Sequence, residues 1–119
     1  MPTQDSRLLI HRDGDIIQIS FVDRNILEET SIQQIGDEIA QLIDESLNPR
    51  ILINFTDVEH LSSAALGTLI TINNRLRQKN GQLRLCTIDP QIHEVFKITK
   101  LDKLFQIHET VDEATSSFQ

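Results

Sequence analysis

The chain has 119 residues, enough for one hydrophobic core and too few for two. Its 18 acidic against 11 basic side chains give a formal charge of -7, which disfavours nucleic acid and anionic membrane surfaces as partners. Neither Trp nor Tyr is present, so an interface must rely on shape and aliphatic contact instead of aromatic anchors.

Residues 1–119 read as a single domain, with residues 1–6 and 116–119 expected to be loose tails. The polar start, residues 1–7, is not followed by the apolar core of a signal peptide. No run approaches the roughly 20 apolar residues that span a bilayer, so no direct membrane insertion is expected. The single Cys86 lies in the apolar run 83–88, where a buried structural thiol fits a reducing compartment. A soluble, cytoplasmic protein is the expectation.

Two short apolar runs, 7–11 and 16–22, flank Arg12-Asp-Gly-Asp15, and an Asp-Gly pair in that setting predicts a β-hairpin. Within residues 30–46, Ile32, Ile35, Ile39, Leu42 and Ile43 recur at helical spacing, which predicts a surface helix with an acidic, solvated outer face. Asn48-Pro49 stops it, and residues 50–55 form a continuous apolar run suited to a central parallel strand.

A second helix is predicted from Ser62 or Ser63 to the stop signal Asn80-Gly81. Ala65, Leu69, Ile72 and Leu76 share its inner face, extended by Leu66 and Ile70; Ser63, Ala64, Gly67, Thr71, Asn74 and Gln78 occupy the other side. Residues 82–87 make a further strand. Asp89-Pro90 caps and opens a third helix with Ile92, Val95 and Phe96 inward. A short strand over residues 104–108 and a terminal helix packing Val111 and Ala114 complete the chain. The order β-β-α-β-α-β-α-β-α predicts an α/β fold: a mixed β-sheet of four to five strands flanked by about four α-helices.

The serine pair carries the functional signal. A serine before an apolar-periodic run is an N-cap, stabilising the helix by roughly 1 kcal/mol, and Ser62 holds the better capping position. Ser63 is then left in the first turn without a structural task. Gly67 costs about 1 kcal/mol relative to alanine in a helix interior, and it points away from the core. With Ala64 and Thr71 it forms a low-relief strip beside Ser63 that lets another backbone come close. A phosphate on Ser63 would add about -1.5 to -2 charge and be tolerated beside the helix-terminal amides. In a packed interface the same group would cost several kcal/mol to desolvate.

Enzyme parts are missing. Ser62 or Ser63 with His60 and Asp57 or Glu59 is too local for a triad, and no Gly-x-Ser-x-Gly elbow exists. His11, His60, His93 and His108 show no metal-ligand spacing, and the four glycines are isolated, so neither a metal nor a phosphate-cradling loop is expected. No catalytic residue and no cofactor is assigned.

The segments Asn54-Phe-Thr-Asp-Val-Glu-His-Leu-Ser-Ser-Ala-Ala-Leu-Gly67, Asn80-Gly-Gln-Leu-Arg-Leu85 and Val95-Phe-Lys-Ile-Thr-Lys-Leu-Asp-Lys-Leu-Phe105 resemble the STAS domain of bacterial anti-sigma factor antagonists. The likeness runs from about residue 8 to residue 114. It implies partner switching: an antagonist binds an anti-sigma factor that is itself a serine kinase, is phosphorylated by it, and is restored by a phosphatase. Aligned on Leu66-Gly67, the family's phospho-acceptor falls on Ser63. Ser62 stands where the family has Asp and is an alternative acceptor; Asn54 replaces a strand-end Asp, Ala65 a Gly, and Lys100 a Gly before Leu-Asp-Lys-Leu-Phe.

The resulting expectation is a bacterial transcription regulator and phosphoprotein, with an anti-sigma factor kinase and a phosphatase as partners and a possible homodimer. Asn54, Asp57, His60, Ser62, Ser63, Ala64, Gly67 and Thr71 are the expected partner-binding residues. The alternative is a STAS scaffold or accessory subunit of a stress-signalling assembly or membrane transporter, in which the serine is only a cap.

Overall fold

The computed structural model describes residues 8–118. Strands β1 (Leu8–Asp13) and β2 (Ile16–Phe21) form the expected antiparallel hairpin, with Asp13 opposite Ile16. The turn residues are therefore Gly14 and Asp15, not Asp-Gly. Gly14 takes φ 61°, so the glycine occupies the position that needs positive φ in a type II′ turn.

Strand β3 (Asn25–Ile26) is followed by α1 (Glu29–Asp44), β4 (Arg50–Asn54), β5 (His60–Leu61), α2 (Ser63–Gln78) and β6 (Gln82–Cys86). Helix α3 (Pro90–Ile98), a 3-10 turn (Leu101–Lys103), β7 (Gln106–His108) and α4 (Val111–Ser116) complete the chain. The main sheet has five strands in the order β1-β2-β4-β6-β7, and every pairing except β1 with β2 is parallel.

Each parallel crossover steps one place in the same direction. Right-handed connections then put α1, α2 and α3 on one face of the sheet. Ile51 and Ile53 of β4 and Leu83 and Leu85 of β6 meet the predicted inner residues of α1 and α2 there, in one continuous core. Leu52 and Cys86 point to the other face, where Ala114 of α4 covers them. Cover on both faces explains why β4 reads as an unbroken apolar run.

Several expectations need correction. Val95 is 42% exposed, because only the narrow stripe of Ile92 and Phe96 reaches the core from the short α3. Leu104 and Phe105 precede the last strand instead of starting it; Phe105 is buried against Phe96, with ring centroids 6.0 Å apart. At the end of α2 the left-handed residue is Asn80, φ 57°, and Gly81 serves a different need. A Cβ on Gly81 would lie 2.6 Å from the carbonyl oxygen of Pro49, so the glycine permits the α2–β6 link to cross the start of β4. Lys100 holds φ 64°, the left-handed conformation that favours glycine.

Ser117 and Phe118, within the segment expected to be a loose tail, contact Arg84 of β6. Arg84, 6% exposed on the second face, donates through Nε to Ser117 Oγ at 2.8 Å and stacks over the Phe118 ring at 5.0 Å. Burial pulls its guanidinium pKa down from the ordinary value. Residues 1–6 and 119, the rest of the expected tails, lie outside the described residues. Among the described residues no helix is long and apolar enough to cross a membrane.

Candidate functional site

The segment that leads from β4 into α2 is built by local hydrogen bonds. Asn54 Oδ1 accepts from the Thr56 amide at 3.0 Å and from Thr56 Oγ1 at 2.6 Å, closing an Asx turn as the strand ends. Asp57 takes φ 71°, and Val58, 2% exposed, pins the loop to the core. The chain then pairs in parallel with β3: His60 lies opposite Asn25 and Leu61 opposite Ile26. His60 Nδ1 meets Asn25 Oδ1 at 2.6 Å, and the Ser62 amide donates to the Ile26 carbonyl at 3.1 Å. This two-stranded sheet orients the start of α2, and it was invisible in the sequence because strands of two residues carry no periodicity.

Ser62 adopts the extended conformation of an N-cap, φ -82° and ψ 166°, and its Oγ accepts from the Ala65 amide at 3.2 Å. The cap role belongs to Ser62. Ser63 is the first helical residue and is exposed. Ala64, Gly67 and Thr71 are exposed along the same helix, while Ala65, Leu66, Leu69, Ile72 and Leu76 are buried as the wheel requires. A Cβ on Gly67 would meet nothing within 4 Å. The strip is also chemically quiet. Thr71 Oγ1 donates to the Gly67 carbonyl and Thr68 Oγ1 to the Ala64 carbonyl, each at 3.2 Å, so both hydroxyls are already engaged.

The strip runs into a shallow groove between α1 and α2. There a Cβ on Gly36 would approach Thr68 Cγ2 to 3.0 Å, the two helices being that close. Farther along, Arg75 clamps Asp44 through Nε at 3.2 Å and Nη2 at 2.8 Å. The guanidinium hydrogen bond holds the Asp44 carboxyl below its usual pKa, and the carboxylate in turn raises that of Arg75. The expected residues therefore fall into two sets. Ser63, Ala64, Gly67 and Thr71 share an exposed helix face, whereas Asn54, Asp57 and His60 lie on the loop that leads to it, with Asn54 and His60 engaged in shaping that loop.

Beside this loop, the carboxyl ends of β4, β6 and β7 frame an open cleft of about 690 Å³. Its floor includes Phe55, Val58 and Ile107, and its rim carries Asp57, His93, His108 and Glu109. Ligands of open α/β sheets sit outside the strand carboxyl ends, so this is the natural concave site of the fold. Sequence reading missed it because its residues come from three separate loops. Among the described residues no three His, Cys, Asp or Glu side chains are grouped to hold a metal ion.

Comparison with known proteins places these features in a family. The STAS domain family model matches residues 8–114. A Bordetella bronchiseptica protein named as a candidate anti-sigma factor antagonist, BtrV, is 25% identical over 96 residues, covering 81% of this chain and 82% of the relative. An anti-sigma factor antagonist domain from Planctomyces limnophilus superposes with a TM-score of 0.81 at 24% identity, covering 90% of this chain and 93% of that one. The Bacillus cell fate determinant SpoIIAA in its phosphorylated form gives a TM-score of 0.70 at 18% identity, covering 92% and 96%. The structural likenesses establish the fold, and with the family match over nearly the whole sheet-and-helix framework they lead to one conclusion: the chain belongs to the STAS domain family.

Proposed function

We propose that this protein is an anti-sigma factor antagonist that works by partner switching, with Ser63 as the phosphate acceptor and the face formed by Ser63, Ala64, Gly67 and Thr71 as the docking surface. One observation carries the reading: Ser62 takes the cap, leaving the exposed Ser63 hydroxyl at the positive end of α2 beside a glycine whose outer side is open. Asp57, His60 and the Asn54 turn form the edge of that surface. Relatives named as antagonists support the partner class, an anti-sigma factor. A solved SpoIIAA in phosphorylated form supports the chemistry of the switch.

The mechanism follows from two opposed electrostatic terms. At the helix start a phosphate gains about 0.3–1 kcal/mol from the dipole, so the free domain keeps its fold. Against a packed partner the same dianion loses its water, at a cost of several kcal/mol unless positive charge meets it. The switch therefore acts on the complex and spares the domain. A kinase supplies the phosphate and a phosphatase removes it.

Phosphopeptide mapping after incubation with the cognate anti-sigma kinase tests this. Phosphate is expected on Ser63, with none in Ser63→Ala, and Ser63→Ala should retain partner binding while Ser63→Asp weakens it. Phosphate on Ser62 alone, or on neither serine, removes the assignment and leaves a constitutive scaffold.

A further inference from the structure

We propose that the free edge of β1 pairs antiparallel with β1 of a second copy of this chain, with the two-fold axis at Ile10, so that the two sheets continue into one. The contact uses neither α2 nor Ser63 and stands independently of the phosphate switch.

β1 is the outermost strand among the described residues, and it lacks the usual protection of an edge. Its six residues pair one for one with β2, without a bulge, a proline or a lysine, whereas β7 at the opposite edge has only three residues. The two-residue turn makes Asp13 and Ile16 a hydrogen-bonded pair. By alternation His11 and Leu9 also bond to β2, and Ile10 and Arg12 turn their N–H and C=O groups outward. No described residue meets the outward groups of Ile10 or Arg12. The middle of this open edge is apolar: Leu9 is 59% exposed on one face of the sheet and Ile10 43% on the other.

A second copy fits this edge in one register. Outward groups must face outward groups, so the two-fold axis has to pass through a residue of β1. Placed at Arg12, it would bring two guanidiniums together. Placed at His11, it would set imidazole on imidazole and Asp13 against the apolar Leu9. Placed at Leu9, it would leave His11, Arg12 and Asp13 beyond the end of the partner's strand. Placed at Ile10, it sets Ile10 on Ile10 with two exchanged backbone hydrogen bonds and puts Leu9 beside the partner's His11. Each Arg12 then stands beside the partner's Leu8, at opposite ends of the contact, so the like charges stay apart. Strand addition of this kind draws its affinity from the main chain. An edge of six residues covers less than the roughly 800 Å² per partner of a standard interface, so the dimer forms reversibly at high concentration. The charge of -7 on each copy opposes it, and salt relieves that repulsion.

Sedimentation equilibrium and NMR of the full chain test this. Between about 10 µM and about 1 mM the protein should pass from monomer to dimer, with a dissociation constant on the order of 0.1 mM that falls as salt is added. In a mixture of isotope-labelled and unlabelled chains, an intermolecular NOE should join the Hα protons of Leu9 and His11, which face each other in a non-hydrogen-bonded pair with Cα atoms about 4.5 Å apart. Amide exchange at Ile10 should slow by about fivefold from the dilute to the concentrated sample, as the monomer falls to about a fifth of the chains. Ile10→Lys, which sets two ammonium groups at the axis, should abolish association. Leu9→Lys should weaken it, and because Leu9 is exposed it gives a second reading with the fold intact. A chain that stays monomeric at about 1 mM, a Leu9–Asp13 contact in place of Leu9–His11, or a dimer that survives both substitutions unchanged would overturn the proposal.

Discussion

Replacing Gly67 by alanine sets a methyl group into open space, since nothing lies within 4 Å of the Cβ position, in the middle of the helix Ser63–Gln78. Glycine costs about 0.8–1 kcal/mol relative to alanine in a helix interior, chiefly through the backbone freedom it retains in the unfolded chain. With no steric term to offset that gain, Gly67→Ala should stabilise the isolated domain by about 1 kcal/mol. For a domain of this size that raises Tm by about 4 °C and moves the urea midpoint by about 0.3–1 M. Gly67→Gln should also be neutral or stabilising in isolation, because glutamine is a good helix former and its side chain leaves toward solvent. In the complex the two variants separate. On the proposed docking surface the glutamine would stand in the way of a partner's backbone, so affinity should fall while Tm holds. Urea denaturation followed by circular dichroism, paired with calorimetric titration of the anti-sigma partner, reads both quantities. Destabilisation of Gly67→Ala by more than about 1 kcal/mol would refute the open placement, since only a clash could outweigh the helix gain. Unchanged affinity in Gly67→Gln would refute the docking strip while leaving the fold intact.

Gly81→Ala should do the reverse of Gly67→Ala: its Cβ would meet the Pro49 carbonyl at 2.6 Å and Leu76 Cδ2 at 2.8 Å, and thermal melts should show a loss of about 1–3 kcal/mol. Ser62→Ala should cost about 1 kcal/mol in urea denaturation as the Ala65 amide loses its acceptor, whereas Ser63→Ala should stay within about 0.5 kcal/mol. The Asp44 carboxyl, held low by the Arg75 hydrogen bond, should titrate below 3.8 by NMR and move back up in Arg75→Ala. Because the folded-state pKa is depressed, whatever stability the pair contributes is present above the ordinary carboxylate value and lost as pH falls through the lowered one. In stopped-flow with the anti-sigma partner, phosphorylated protein should dissociate faster than unmodified protein, with the loss in the off-rate; equal dissociation rates would remove the switch.

The elements most legible in the sequence were those with a period or a punctuation mark. Five apolar residues at helical spacing placed α1, an unbroken apolar run placed β4, and Asp89-Pro90 placed the start of α3, each through local physics that a few residues suffice to express. The division of labour between Ser62 and Ser63 was legible for the same reason, because a cap is a contact across three residues. Tertiary structure alone decided what depends on elements meeting. The pairing of β3 with β5 that aims α2 joins residues 35 positions apart, as in the contact of Asn25 with His60. Gly81 reads in sequence as a helix stop, yet its necessity comes from the Pro49 carbonyl, a backbone atom on another strand. Nothing in the sequence marks Arg84 for burial, and only the docking of α4 shows a buried cation held by Ser117 and Phe118. The cleft is the furthest from legibility, since its walls come from the loops after three parallel strands, and a sequence records spacing along the chain but not which strand ends lie side by side.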